Sequence, residues 1–171
     1  MNCQGSPPGS FLEKIYLKPG ELLLTEEAIV VTTVLGSCIS VTMFHPRSGI
    51  AAICHAMLPR GGGSTSFKYV DTSVHHMAAY FSRRKISPDE IQAKLFGGAD
   101  MFNSGRPSVR NLTVGWQNIA TATQCLQTLG LSPSSTDVGG KQGRKLIFTT
   151  DTGTVFLKKL KRQELGPPGD K

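Results

Sequence analysis

A thiol and an imidazole are the groups in this chain best placed to do covalent chemistry. Cys38 closes the small-residue turn Leu35-Gly36-Ser37-Cys38, and His55 opens the stretch His55-Ala56-Met57-Leu58-Pro59. Cysteine becomes a potent nucleophile once a neighbouring base takes its proton, and imidazole is the side chain suited to that task near neutral pH. A Gly-Ser turn exposes both the sulfur and the backbone N–H groups around it. The amides at Gly36 and Ser37 are therefore candidate donors to the oxyanion of a tetrahedral intermediate, where one such donor is worth on the order of 10²–10³ in rate.

The elements that must position this pair follow from hydrophobic pattern. Residues 28–35 are β-branched and read as a buried strand. Residues 39–44 read as a second strand and residues 50–57 as a third. His45-Pro46-Arg47-Ser48-Gly49 between the last two is a turn. With Pro46-Arg47 at its centre, His45 opposes Ser48 and Cys38 falls directly opposite His55. Their Cβ atoms would then be roughly 4.5–5.5 Å apart. In that arrangement an imidazolium beside the sulfur favours the thiolate. The imidazole needs an acceptor to orient it, and Thr32 and Thr33 are the hydroxyls on the entering strand; the pattern alone does not choose between them.

Elsewhere Val70, Val74, Met77 and Phe81 mark one helical face, and Ile119, Ala122, Leu126 and Leu129 mark another, closed by Gly130. Ser87-Pro88-Asp89-Glu90 is a cap signal ahead of a strand at 93–96. Residues 146–149 and 155–160 flank the hairpin signal Asp151-Thr152-Gly153. Strands and helices mix without strict alternation. This predicts an α/β (α+β) fold, a single layered domain with mixed β-sheets packed by helices. The expected organisation is a lead at 1–10, one domain over 11–165 and a tail at 166–171.

Composition narrows the class. The 171 residues, 39% hydrophobic and 18% charged, describe a globular chain with room for a core. No apolar run is long enough to span a membrane, and the start lacks a signal-peptide pattern, so a cytoplasmic protein with no direct membrane insertion is expected. Cys3, Cys38, Cys54 and Cys125 have no metal or disulfide spacing, which predicts no metal and no cofactor. Cys54 and Cys125 read as buried filler. The adjacent His75 and His76 point about 100° apart on a helix, so they are read as surface residues and not a shared ligand pair. The net charge of +7 comes from scattered basic residues, apart from Lys158-Lys159-Leu160-Lys161-Arg162. No nucleic-acid module is present; the charge reads first as a solvated basic edge and second as a match to an acidic protein surface.

Several motifs together resemble the CheD family of chemoreceptor glutamine deamidases. They are Lys18-Pro19-Gly20-Glu21, Thr32-x-x-Leu35-Gly36-Ser37-Cys38-Ile39-x-Val41 and His55-x-Met57-Leu58-Pro59. Lys68-Tyr69-Val70-Asp71, Lys94-Leu95-Phe96-Gly97-Gly98-Ala99-x-Met101-Phe102, Gly115-x-x-Asn118 and Gly139-Gly140-x-x-Gly143-Arg144-Lys145 extend the match. His45-Pro46 and Trp116-Gln117 depart from the family's usual residues. The resemblance implies a Cys–His–Thr triad on Cys38, His55 and Thr32, with Thr33 the neighbouring candidate. It implies a thioester route from glutamine to glutamate with release of ammonia, and a fold like that of cytotoxic-necrotizing-factor deamidase toxins. The implied substrate is the cytoplasmic helical bundle of a chemoreceptor, and the implied partner is a CheC-type phosphatase. A mainly non-catalytic adaptor for such a phosphatase or receptor is the alternative reading, and another thiol hydrolase a third.

Overall fold

A computed structural model describes residues 12–101 and 112–161. The elements run β1 (Glu13–Tyr16), β2 (Leu22–Thr25), β3 (Ile29–Leu35), β4 (Ile39–His45), β5 (Ile50–Cys54), α1 (Val70–Ser82), β6 (Gln92–Gly97), α2 (Val114–Thr128), β7 (Pro133–Val138), β8 (Arg144–Thr149) and β9 (Thr154–Lys159). They form one sheet in the order β1-β3-β8-β9 and a second in the order β2-β5-β4-β6-β7. Both sheets are mixed, because β1 runs parallel to β3 and β6 parallel to β7. The α+β architecture is the expected one. The proposed lead at 1–10 and tail at 166–171 lie outside the described residues.

Three layers result. Leu17, Val31, Leu35, Phe44, Ile53, Phe96, Leu146 and Phe148 fill the space between the sheets. Val41, Met43, Cys54, Leu95 and the inner faces of both helices fill the space on the other side of the second sheet. The middle layer is therefore covered twice. This is why β4 and β5 are buried at every position, although β4 carries Ser40, Thr42 and His45. By contrast, β3 alternates. Val31, Thr33 and Leu35 point inward, while Val30, Thr32 and Val34 are half-exposed on the outer face. The helical faces hold as predicted on α1, where Val70, Val74, Met77 and Phe81 are all buried. Among the described residues, no helix is long and apolar enough to cross a membrane.

The turn after β4 differs from expectation. It holds four residues, not two, so His45 opposes Ile50 and Ile39 opposes Ala56. The His45 carbonyl accepts from the N–H groups of both Ser48 (3.3 Å) and Gly49 (2.9 Å), and Gly49 closes the turn at φ +73°. The His45 ring is bonded to the Ser48 hydroxyl at 2.7 Å, which fixes the wider loop. Cys38 is thus not directly opposite His55. The register places it across from Met57, one diagonal step from His55 on the same face, a relationship of about 7–8 Å between Cα atoms.

Candidate active site

Cys38 lies where the chain leaves the first sheet and enters the second. Its half-buried side chain packs against the layer between the sheets. The turn that carries it is held by its carbonyls. Gly36 C=O accepts from Ala99 N–H (2.9 Å), Ser37 C=O from the Asn118 side-chain amide (3.0 Å) and Cys38 C=O from Gly98 N–H (2.8 Å). Gly97 makes this approach feasible. It sits at φ +107°, and a Cβ there would collide with the Cys38 carbonyl oxygen. Over Gly36 lies the Met101 methyl, 2.7 Å from where a Cβ would stand, so a side chain at that position has no room without moving the methionine.

His55 is 1% exposed and enters the same layer from the second sheet. Its backbone is pinned by Glu21 C=O (2.9 Å) and Gly20 N–H (2.8 Å). Its Nδ1 lies 2.7 Å from Thr33 Oγ1, and the Thr33 hydroxyl donates to Leu17 C=O at 2.8 Å. The hydroxyl proton is spent on that carbonyl, so the hydroxyl accepts from Nδ1–H. The network therefore assigns the proton to Nδ1 and leaves Nε2 with a lone pair. Among the described residues, Nε2 is buried without a hydrogen-bond partner. A buried orphan of this kind points to a reactive role.

The expectation that Thr32 orients the imidazole is corrected by strand parity. Successive side chains on β3 face opposite ways, and Thr32 falls on the outer face, paired in register with Tyr16 and Ile147. Thr33 is the hydroxyl that meets His55. The expected thiolate–imidazolium pair is also revised. Burial pushes the His55 pKa down, against the pull of Leu17 C=O and the Glu21 charge. Burial pushes the Cys38 pKa up, opposed by its own backbone N–H. Both shifts favour the neutral thiol and the neutral imidazole. Cys54 faces the helices and not the site, and burial pushes its thiol up to about 11.

Other motifs resolve as follows. His75 is exposed and donates from Nδ1 to Asp71 C=O at 2.7 Å, and no metal-binding group of three or more His, Cys, Asp or Glu occurs among the described residues. The loop at 60–66 is tied to the start of α1 by Gly61 N–H on the Asp71 carboxylate (3.0 Å). Met57, Leu58, Val114 and Trp116 are exposed apolar residues on the chain segments that flank the turn. Asn118 was visible in the sequence only as part of a family motif. A polar residue on the buried helical face with Ala122, Cys125 and Leu126 was the available signal.

Fold and site together describe an α+β sandwich that brings a cysteine, a histidine and a threonine to the junction of its two sheets. The family model for CheD, chemotactic sensory transduction, matches residues 57–159. A protein of Geobacter sulfurreducens named probable chemoreceptor glutamine deamidase CheD 2 is 50% identical over 90% of this chain and 94% of its own length. A Maridesulfovibrio salexigens protein named probable chemoreceptor glutamine deamidase CheD is 37% identical over 90% of this chain and 95% of its own. The chain belongs to the CheD family. The crystal structure of the Bacillus licheniformis hypothetical protein YfiH aligns with 70% of this chain and 51% of that one, at 14% identity and a TM-score of 0.49.

Proposed function

We propose that this chain deamidates glutamine side chains of chemoreceptors, with Cys38 as nucleophile, His55 as general base and acid, and Thr33 as the group that orients His55. One observation carries the chemistry: His55 has Nδ1 bonded to Thr33 and Nε2 unpartnered, in the same layer as the Cys38 sulfur. The target class follows from relatives named chemoreceptor glutamine deamidases across nearly their full length.

The route begins from the neutral pair. His55 Nε2 takes the thiol proton as Cys38 Sγ attacks the carboxamide carbon, so no resting thiolate is required. The oxyanion accepts from the turn amides of Ser37 and Cys38. As the tetrahedral intermediate collapses, the imidazolium returns its proton to the departing nitrogen, and ammonia leaves a thioester. His55 then deprotonates a water that attacks the thioester, giving glutamate and the free thiol. Thr33 accepts from Nδ1–H throughout and keeps the imidazole in the tautomer that both steps need. Receptor helical bundles on the cytoplasmic side of the membrane are the proposed substrates, which suits a net charge of +7 if those bundles are acidic. The exposed Met57, Leu58, Val114 and Trp116 supply apolar contact beside the turn, and a CheC-type phosphatase is the proposed regulatory partner.

The test is incubation with a purified receptor cytoplasmic fragment, reading ammonia release and the mass change of NH2 becoming OH at individual glutamines. Wild-type protein should produce both and Cys38→Ala neither. Tight binding of a phosphatase or receptor with no mass change would favour the adaptor reading. Backbone cleavage would favour a peptidase.

A further inference from the structure

We infer that Asn118 is a positioning residue that aims the Cys38 backbone N–H at the oxyanion, an inference that rests on the deamidase reading above. Asn118 is fully buried in the second turn of α2, and its side-chain amide donates to two carbonyls, Ser37 (3.0 Å) and Met57 (2.9 Å). These residues flank the two reacting groups, since Ser37 precedes the nucleophile and Met57 lies two past the base. The β4–β5 ladder ends with Ile39 and Ala56 exchanging both of their hydrogen bonds (2.9 Å each). The next pair outward is Cys38 with Met57. That pair is a non-hydrogen-bonded one in an antiparallel ladder, and Asn118 ties the two strands together there, one donor to each.

The amide orientation is set by its partners. Exchanging its oxygen and nitrogen would put Oδ1 against two carbonyl oxygens, so both N–H groups must face them. Oδ1 is then buried without a hydrogen-bond partner among the described residues. Leucine would fill a similar volume and remove the orphan Oδ1, but it would take the donor from the Ser37 and Met57 carbonyls. The site keeps asparagine for its two donors.

Peptide geometry turns this clamp into a catalytic device. In a planar trans peptide the C=O of one residue and the N–H of the next point in opposite directions. Drawing Ser37 C=O toward Asn118 therefore aims Cys38 N–H away from α2. Its contact with the sulfur of the same residue agrees with that direction. Ala99 N–H on Gly36 C=O fixes the Ser37 N–H in the same way.

The experiment compares wild type with Asn118→Asp, which keeps the shape and loses both donors, and Asn118→Leu, which keeps the bulk. Folding is checked by near-ultraviolet circular dichroism, so that either folded variant serves. Two reactions of Cys38 are measured across pH. Alkylation by iodoacetamide forms no oxyanion. Capture of a peptide aldehyde, with CHO in place of the glutamine carboxamide, forms a hemithioacetal whose oxygen needs the turn amides. A folded variant should lose on the order of 10²-fold in aldehyde affinity and in kcat on the receptor fragment. Its KM and its alkylation rate and pH profile should stay near wild type. Aldehyde affinity equal to wild type, a parallel loss of alkylation, or a wild-type protein that captures no aldehyde would each overturn the inference. A wild-type protein that captures the aldehyde but leaves receptor glutamines unchanged would sink the deamidase reading alone.

Discussion

Thr33 on the first sheet and His55 on the second meet through a 2.7 Å hydrogen bond that crosses the sandwich. The threonine beside it, Thr32, is one residue away and on the wrong face. Thr33→Val should therefore lower kcat about tenfold, the effect of about 1.4 kcal/mol from one neutral hydrogen bond and the tautomer it sets. Thr32→Val should leave kcat unchanged. Steady-state deamidation by both variants, with melting temperatures as a control, decides the matter. The opposite ranking would return the orienting role to Thr32.

Shifts that favour a neutral pair set the pH behaviour. In the proposed mechanism His55 must be unprotonated to accept the thiol proton, and burial holds its pKa below the usual value of about 6.5. Turnover should thus hold as pH falls to neutral and drop only as pH passes down through that lowered pKa. Alkylation of free Cys38 should keep climbing beyond about pH 8.5, because burial raises the thiol. Cys54, pushed up to about 11 and fully buried, should remain unlabelled in the native protein. A plateau of fast Cys38 labelling near pH 6 would instead reveal an ion pair.

Gly97 is where the backbone of β6 touches the turn that carries Cys38. Gly97→Ala adds a methyl against the Cys38 carbonyl oxygen and forces a non-glycine residue to φ +107°. The strain alone costs about 1–3 kcal/mol. A lower melting temperature and loss of deamidation are expected together. Thermal unfolding with a wild-type midpoint would contradict the close approach.

Arg144 is buried, with Nε 2.6 Å from Asp137 Oδ1 and its remaining nitrogens on Gly139 C=O (2.7 Å) and Gln142 C=O (3.1 Å). It anchors the glycine loop whose Gly140 C=O accepts from Asp100 N–H next to the site. Asp137→Ala strands a buried cation and should cost about 2–3 kcal/mol, below the fully buried range because Asp137 is about a third exposed. Burial raises the Asp137 pKa, but the Arg144 hydrogen bond and the Arg144 and Lys159 charges outweigh it and hold it below the usual range. The pair's contribution is therefore complete above about pH 4 and fades as pH falls through the lowered value. Chemical denaturation at pH 7 and pH 3 should show the wild-type and Asp137→Ala stabilities converging in acid.

Cys38 and His55 could be read from the sequence because a Gly-Ser turn between β-branched runs is a local signal. The helical faces of α1 and α2 were equally local. The register was not, because a two-residue turn and a four-residue turn differ only in where Ser48 and Gly49 bond. Thr33 was undecidable for a related reason: its partner lies on another sheet, and no local pattern states which face of β3 turns inward. The strands β1 and β2 escaped notice because they are only four residues long, and β7, Pro-Ser-Ser-Thr-Asp-Val, because it is a polar edge strand with almost nothing to bury. Asn118 acts through two carbonyls distant in sequence, so its role needed the fold.

The crossing from β3 to β4 has a consequence for the unfinished chain. The hydroxyl comes from one sheet, the imidazole from the other, and the sulfur rides the link between them. On the proposed mechanism, a nascent or partly melted molecule in which the two halves have not yet stacked holds three ordinary side chains and no assembled site. The onset of turnover during refolding would then time the moment the halves close.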